Sequence, residues 1–184
     1  MNTKPRKRTL ILDTNIISYA GNKPSERQDQ VIKIFKDLRN DNFDPTIAEF
    51  TRFEILKQAK DNEDQLLLIL KLFGVITISP EVAGLAGLLH GFYKKHKITG
   101  NFDDGDLFIA STSILTNSYI LTGDKYHFCH PYFEEVNFYT ITYREHKNST
   151  RSNVLGIYLL KPNIEMVKQE IKEFYKVKSK PKGQ

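Results

Sequence analysis

Residues 101–128 read NFDDGDLFIASTSILTNSYILTGDKYHF, an acid-headed helix followed by a short apolar strand and a second acidic turn. Leu107, Ile109, Ala110 and Ile114 recur at roughly helical spacing, with Asp103 and Asp104 as caps at the positive end of the helix dipole. Tyr119 to Leu121 reads as the strand, and Thr122-Gly-Asp124 follows it. A helix start and a strand end therefore deliver Asp106 and Asp124, 18 residues apart, toward the polar rim of an α/β sheet. Taken singly, these acids have an ordinary explanation as caps and turn residues.

Upstream, Thr9 to Leu12 is an apolar run that ends at Asp13-Thr14-Asn15, a buried first strand with a carboxylate at its carboxyl end. A short Ile16 to Ala20 segment and a polar loop lead into a helix with Val31, Ile34, Phe35 and Leu38 on one face. Asn40 to Pro45 breaks that helix, and Thr46 to Gln58 is expected to form the next. There Thr51 and Glu54 share a face, while Phe50, Phe53 and Leu56 supply the seat. Thr51-x-x-Glu54 also matches a capping box. A leucine-rich helix over Leu66 to Phe73 and a strand over Val75 to Ser79 come next. Ser79-Pro80-Glu81 then opens a helix running toward Lys97, with a hydroxyl cap and proline in the first turn. Downstream of the opening stretch, Val136 to Thr142 and Val154 to Leu160 read as strands around a polar loop, and Asn163 to Tyr175 as an amphipathic helix.

Alternating β and α elements predict an α/β fold: a central, mainly parallel sheet flanked by helices, with an extra C-terminal strand and helix. The 184 residues, 40% hydrophobic, suit one domain. No run approaches the ~18 apolar residues of a membrane span, and no apolar region follows the basic start as in a signal peptide. Cys129 is the single cysteine, so no intrachain disulfide forms and a reducing, cytoplasmic setting is expected. The net charge of +5 belongs to the tails: four basic residues in 1–9 and four in 175–184, without an acid, leave 19 basic against 22 acidic in the body. Solvated tails are the common case, and such tails can also hold a nucleic-acid backbone.

Asp13, Glu54, Asp106 and Asp124 lie on two strand ends and two helices of this alternating chain. Four carboxylates at one sheet edge repel one another without a cation, and hard oxygen donors select Mg²⁺ or Mn²⁺ over Zn²⁺. His127-Phe-Cys129-His130 has zinc-type donors, but so short a run on one turn rarely converges on one ion, and these read as ordinary surface or core residues. A strand-end aspartate also begins the haloacid-dehalogenase phosphotransferases, which want a second acid where this chain has Asn15. Neither a serine elbow nor a glycine-rich phosphate loop is present.

Leu-Asp13-Thr14-Asn15, Thr51-x-x-Glu54, Asp106-Leu-x-Ile-Ala-Ser111 and Thr122-Gly-Asp124-x-x-His127-Phe128 resemble, in order, the four motifs of the PIN-domain nucleases, most closely the VapC-type toxin ribonucleases. The resemblance implies a Rossmann-like PIN fold and a Mg²⁺- or Mn²⁺-dependent endoribonuclease. By it, Asp13 and Asp106 would hold the metal directly, Asp124 directly or through water, and Glu54 would ligate the ion or orient the attacking water. Thr14, Asn15, Thr51 and Thr122 would position acids or phosphate. An RNA substrate, an antitoxin protein and a homodimer are the partners it implies, and a PIN-like module that binds RNA or protein without cutting is the alternative. The expected division is a basic tail at 1–8, the PIN nuclease domain at 9–142, a strand-helix extension at 143–175 packed on the same domain, and a second basic tail at 176–184. That extension departs from the compact toxins, which usually end near the strand at Val136 to Thr142.

Overall fold

The computed structural model describes residues 7–21, 25–58, 71–98, 102–144 and 150–178. Six strands, β1 (Arg8–Leu12), β2 (Phe43–Ala48), β3 (Gly74–Ile76), β4 (Tyr119–Thr122), β5 (Phe133–Tyr143) and β6 (Asn153–Pro162), form one sheet in the order β3-β2-β1-β4-β6-β5. The first four neighbours are parallel, whereas β6 runs antiparallel to both β4 and β5. The flanking helices among the described residues are α1 (Thr14–Gly21), α2 (Glu26–Asn40), α3 (Glu49–Gln58), α4 (Pro80–Lys95), α5 (Asp104–Thr116) and α6 (Ile164–Lys178).

Leu10, Ile11 and Leu12 are all fully buried, as a central parallel strand covered on both faces requires. Period-two alternation sends Ile11, Ile120 and Leu160 into one core with α4, α5 and α6. Leu10, Leu12, Leu121 and Leu159 enter the other with α1 and α2. Each such side chain contributes about 1.5–3 kcal/mol through its removal from water. Parallel pairing aligns the carboxyl ends of β1, β2, β3 and β4 at one edge. Between β1 and β4 the chain order changes direction, which leaves a crevice there.

The structure departs from the sequence expectations in five elements. Residues 43–48, expected as a helix break and a helix start, form β2, and α3 begins only at Glu49. Phe43, Pro45, Ile47 and Ala48 are buried in that strand, so tertiary burial overrides the turn-like character of Asn40 to Pro45. Thr51 thus lies inside α3 and caps nothing, which removes the capping-box alternative. Strand β3 stops at Ile76 because the Ile78 N–H donates to Glu49 Oε2 at 2.9 Å instead of to a neighbouring strand. Strand β5 extends the expected Val136 to Thr142 segment at both ends, to 11 residues. Helix α4 ends at Lys95, and Lys97 adopts a left-handed φ of 52°. The leucine-rich helix expected over 66–73 lies for the most part outside the described residues.

The C-terminal strand is not an edge addition. β6 lies inside the sheet, and β5 becomes the edge strand. The β5–β6 pairing passes the Thr122↔Tyr158 row and continues for five more rows, to Tyr143↔Asn153. At ~3.3 Å per residue this hairpin stands roughly 16 Å beyond the end of β4, on the same edge as the crevice.

Candidate active site

Asp13 follows β1 directly, and its N–H donates to Leu121 O at 3.0 Å, extending the β1–β4 pairing by one residue. Its carboxylate is 4% exposed. Oδ1 accepts the Thr14 N–H at 2.6 Å, and Oδ2 accepts Thr122 Oγ1 at 2.6 Å and Asn15 Nδ2 at 2.7 Å. Burial pushes the Asp13 pKa from 3.8 up to about 6, although the Thr122 and Thr14 hydrogen bonds oppose this. Glu54 adds a further upward push and His127 a downward one.

Glu54 projects from α3 and accepts the hydroxyl of Thr14 on Oε2. Desolvation raises its pKa, the Thr14 bond lowers it, and the Asp103 charge raises it again. Gly105, in the first turn of α5, makes this approach sterically feasible. A Cβ there would stand 2.6 Å from Phe50 Cε1 and 3.0 Å from both Asp103 Oδ1 and Glu54 Oε1. A side chain at 105 would therefore require the Phe50 ring, and with it the Asp103 or Glu54 carboxylate, to shift. Beside this contact lies a cleft of about 550 Å³ lined by Phe50, Phe53, Glu54, Lys57, Asp103 and Asp104.

Asp106 is the third residue of α5 and part of a capping box: Asp106 N–H donates to Asp103 Oδ1 at 3.1 Å, and Asp103 N–H to Asp106 Oδ2 at 2.9 Å. Asp103 is thus the N-cap, as its position in the sequence predicts, and Asp104 lies in the first turn. Burial raises the Asp106 pKa to about 7. The Asp103 hydrogen bond and His127 oppose that shift, while the charges of Asp103 and Asp13 add to it.

After β4, Thr122 Oγ1 accepts the Asp124 N–H at 2.9 Å while its own proton goes to Asp13. Asn15 ties the same turn from the other side, accepting the Gly123 N–H at 2.9 Å. Asp124 Oδ1 accepts the Tyr126 N–H at 3.0 Å, which fixes the carboxylate over its turn. Thr14, Asn15 and Thr122 therefore all hold acids in place. Thr51 does not join them: it is fully buried, and its hydroxyl has no hydrogen-bond partner.

Two participants, one of them a residue of the fourth motif, had no role assigned from the sequence. Gly105 is one, since nothing in a sequence shows which helix another will press against. His127 is the other: Nδ1 lies 3.0 Å from Asp106 Oδ2 and Nε2 lies 3.5 Å from Asp124 Oδ2. The histidine stands between the two carboxylates. Its place three residues after Asp124 was a usable signal, masked by its grouping with Cys129 and His130.

This donor set fits a hard divalent cation by chemistry and charge. Carboxylate oxygens predominate, burial raises the pKa values of Asp13 and Asp106 so that a cation would relieve the cost of their charge, and no lysine or arginine among the described residues forms an ion pair with any of the four carboxylates. No three acidic, histidine or cysteine side chains converge as a preformed metal cage among the described residues. Asp106 and Asp124 turn instead to His127, so convergence on an ion requires the imidazole to release them.

The PIN-domain family matches residues 10–134 of the chain. No curated protein sequence matches it. Among solved structures, a chain of VapBC2 from Rickettsia felis, bound to a DNA fragment from its promoter, is similar at 26% identity and a TM-score of 0.50, covering 65% of this chain and 90% of that one. A chain of a toxin–antitoxin complex from Klebsiella pneumoniae matches at 22% identity and a TM-score of 0.51, covering 66% and 92%. FitAcB from Neisseria gonorrhoeae matches at 21% identity and 0.50, covering 65% and 90%. The last two likenesses concern the fold alone.

Proposed function

The chain belongs to the PIN-domain family, and on that premise we propose that it is a Mg²⁺- or Mn²⁺-dependent endoribonuclease, the toxin of a toxin–antitoxin pair. The observation that carries this reading is the gathering of Asp13, Glu54, Asp106 and Asp124 from four separate elements at one sheet edge, with Asp13 and Asp106 desolvated and His127 as the basic side chain set beside them. Asp13 and Asp106 would hold the ion, with Asp124 and Glu54 completing its surroundings. A bound divalent cation lowers the pKa of a water molecule and offsets the charge that builds on phosphoryl oxygens during in-line displacement.

The chain's own residues do the rest. Thr122, Asn15 and the Thr14 N–H fix both oxygens of Asp13, so its orientation does not depend on the substrate. Glu54 Oε2 is occupied by the Thr14 hydroxyl, which leaves Oε1 to orient a water molecule and take its proton. Its raised pKa brings it closer to the working pH of a general base. Phe50 and Phe53 line the adjoining cleft, Phe53 being 55% exposed, and offer faces on which unpaired bases can stack. Lys57 in the same cleft suits a phosphate.

The motif resemblance to VapC-type toxins and the likeness to the Rickettsia felis VapBC2 chain support an antitoxin partner. A homodimer in a cytoplasmic setting accompanies that reading. No helix among the described residues is long and apolar enough to cross a membrane. The rival reading, a binding module that does not cut, draws on His127 occupying the space between Asp106 and Asp124. Purified protein offered single-stranded and structured RNAs and their DNA counterparts separates the two. Cleavage of RNA that requires Mn²⁺ or Mg²⁺ and stops with chelator is expected. Intact RNA under every metal condition, with RNA still bound, would favour the binding module.

A further inference from the structure

Arg27, in the first turn of α2, holds its guanidinium between two aromatic rings, with Cζ 5.1 Å from the ring centroid of Tyr19 and 5.1 Å from that of Tyr143. No carboxylate among the described residues pairs with it. Its Nε is buried without a hydrogen-bond partner, a state that costs free energy. An arginine flanked by two π-faces, with no hydrogen bond from its guanidinium to another of the described residues, has donors to offer an anion.

Its position makes the anion's identity specific. Tyr19 separates Arg27 from the acid site: a Cβ on Gly123 would meet Tyr19 Cε2 at 3.0 Å, Tyr19 Oη at 3.2 Å and Asn15 Oδ1 at 3.3 Å. Asn15 is the residue that holds Asp13, and Gly123 adjoins Asp124. The guanidinium therefore lies one ring's width from the turn that carries the fourth acid.

The surrounding contacts fix that place. Gln30 exchanges two bonds with Thr142, donating to its carbonyl at 2.7 Å and accepting its N–H at 3.3 Å, and Glu26 accepts the Arg144 N–H at 3.1 Å. Gln28 Nε2 donates to Ala20 O at 2.7 Å, roping α2 to the end of α1. Tyr143 stands at the tip of the part of β5 that passes beyond the end of β4, outside the residues matched by the family.

We propose that Arg27, clamped by Tyr19 and Tyr143, is a phosphodiester-binding residue that grips the substrate strand beside the acid site. The projecting β5–β6 hairpin then has a role, which is to supply the second ring of the clamp. This inference rests on the nuclease reading for the polarity of its ligand, but it concerns binding and not cutting.

The test is fluorescence anisotropy with a labelled single-stranded oligoribonucleotide, chelator present so that no strand is cut, over a series of salt concentrations. Arg27→Gln is expected to bind about tenfold more weakly, as loss of a charge-assisted hydrogen bond implies. Its log–log salt slope should be shallower by about 0.7, the value for one phosphate contact on a single strand. Tyr143→Leu, which keeps the charge and loses the ring, should weaken binding less and leave the slope nearly unchanged. Should Arg27→Gln melt far below the parent, Arg27→Lys takes its place, with the parent slope and weaker binding expected. Equal affinity and equal slope for parent and Arg27→Gln would overturn the assignment while leaving metal-dependent cleavage by the parent to stand or fall on its own.

Discussion

Charge on single carboxylates governs how the metal-free fold responds to pH. The folded Asp13 has a pKa of about 6 against an ordinary 3.8, so the folded chain holds this proton more tightly than the unfolded one does. The sign follows from linkage: stability is lost as pH rises from 3.8 through about 6 and is not regained above it, a difference of roughly 2–3 kcal/mol for this one group. Asp106, raised to about 7, acts in the same sense. In chelator, the melting temperature is expected to fall between pH 5 and 7.5, to fall less for Asp13→Asn, and to recover in the parent at pH 7.5 when Mn²⁺ is added. Identical pH slopes for parent and Asp13→Asn would contradict this account of the buried carboxylate. At this scale Asp13, Asp124, Thr14, Asn15 and Thr122 could be singled out in the sequence because each sits beside a strand end, and Glu54 and Asp106 because helical spacing places them. The sequence disclosed neither Gly105 nor the direction in which His127 points, since both depend on contacts between elements distant in the chain.

Helix α6 shows what an element adds when one polar residue anchors it. Glu170 is 3% exposed. It accepts Lys95 Nζ at 2.8 Å on Oε2 and lies 2.5 Å from His96 Nε2 through Oε1, both partners at the end of α4. Desolvation alone would raise the Glu170 pKa, but the Lys95 and His96 contacts outweigh it and hold the value below 4.5. The stability it contributes is therefore present above pH 4.5 and lost as pH falls through the folded value. Glu170→Gln is expected to cost about 1–2 kcal/mol, discounted because Lys95 is half exposed, and to speed amide exchange in α6 while sparing β1. Unchanged exchange in α6 would show that Val167, Ile171 and Phe174 hold the helix without it. The amphipathic period made α6 legible in the sequence, and Ser79-Pro80 did the same for the start of α4. Strand β2 was not legible, because Asp44 and Pro45 look like a turn until pairing with β1 and β3 and the burial of Phe43, Pro45 and Ile47 draw the segment into the sheet.

The whole molecule is built around a sheet whose last two strands exchange places: β6, drawn from the extension, pairs with β4 and carries β5 outside it. The alternating β/α pattern predicted a parallel sheet and a polar edge. It could not predict that insertion, because strand order depends on which partner a hairpin meets. A chain ended after residue 143 should therefore lose more than an appendage. It strips β6 from between its neighbours and should show no cooperative melting transition; a soluble truncation that melts cooperatively would mean that β5 can pair with β4 directly. The fold exists, on this account, to bring four acids to one edge for metal-dependent strand cleavage. The most direct test is the rate of RNA cleavage in Mn²⁺ by the parent, Asp13→Asn and Asp106→Asn, each shown to be folded. A loss of at least about 100-fold in both variants is predicted, as expected for removal of groups that stabilise the transition state. Cleavage at the parent rate by either folded variant would contradict the assignment of the site.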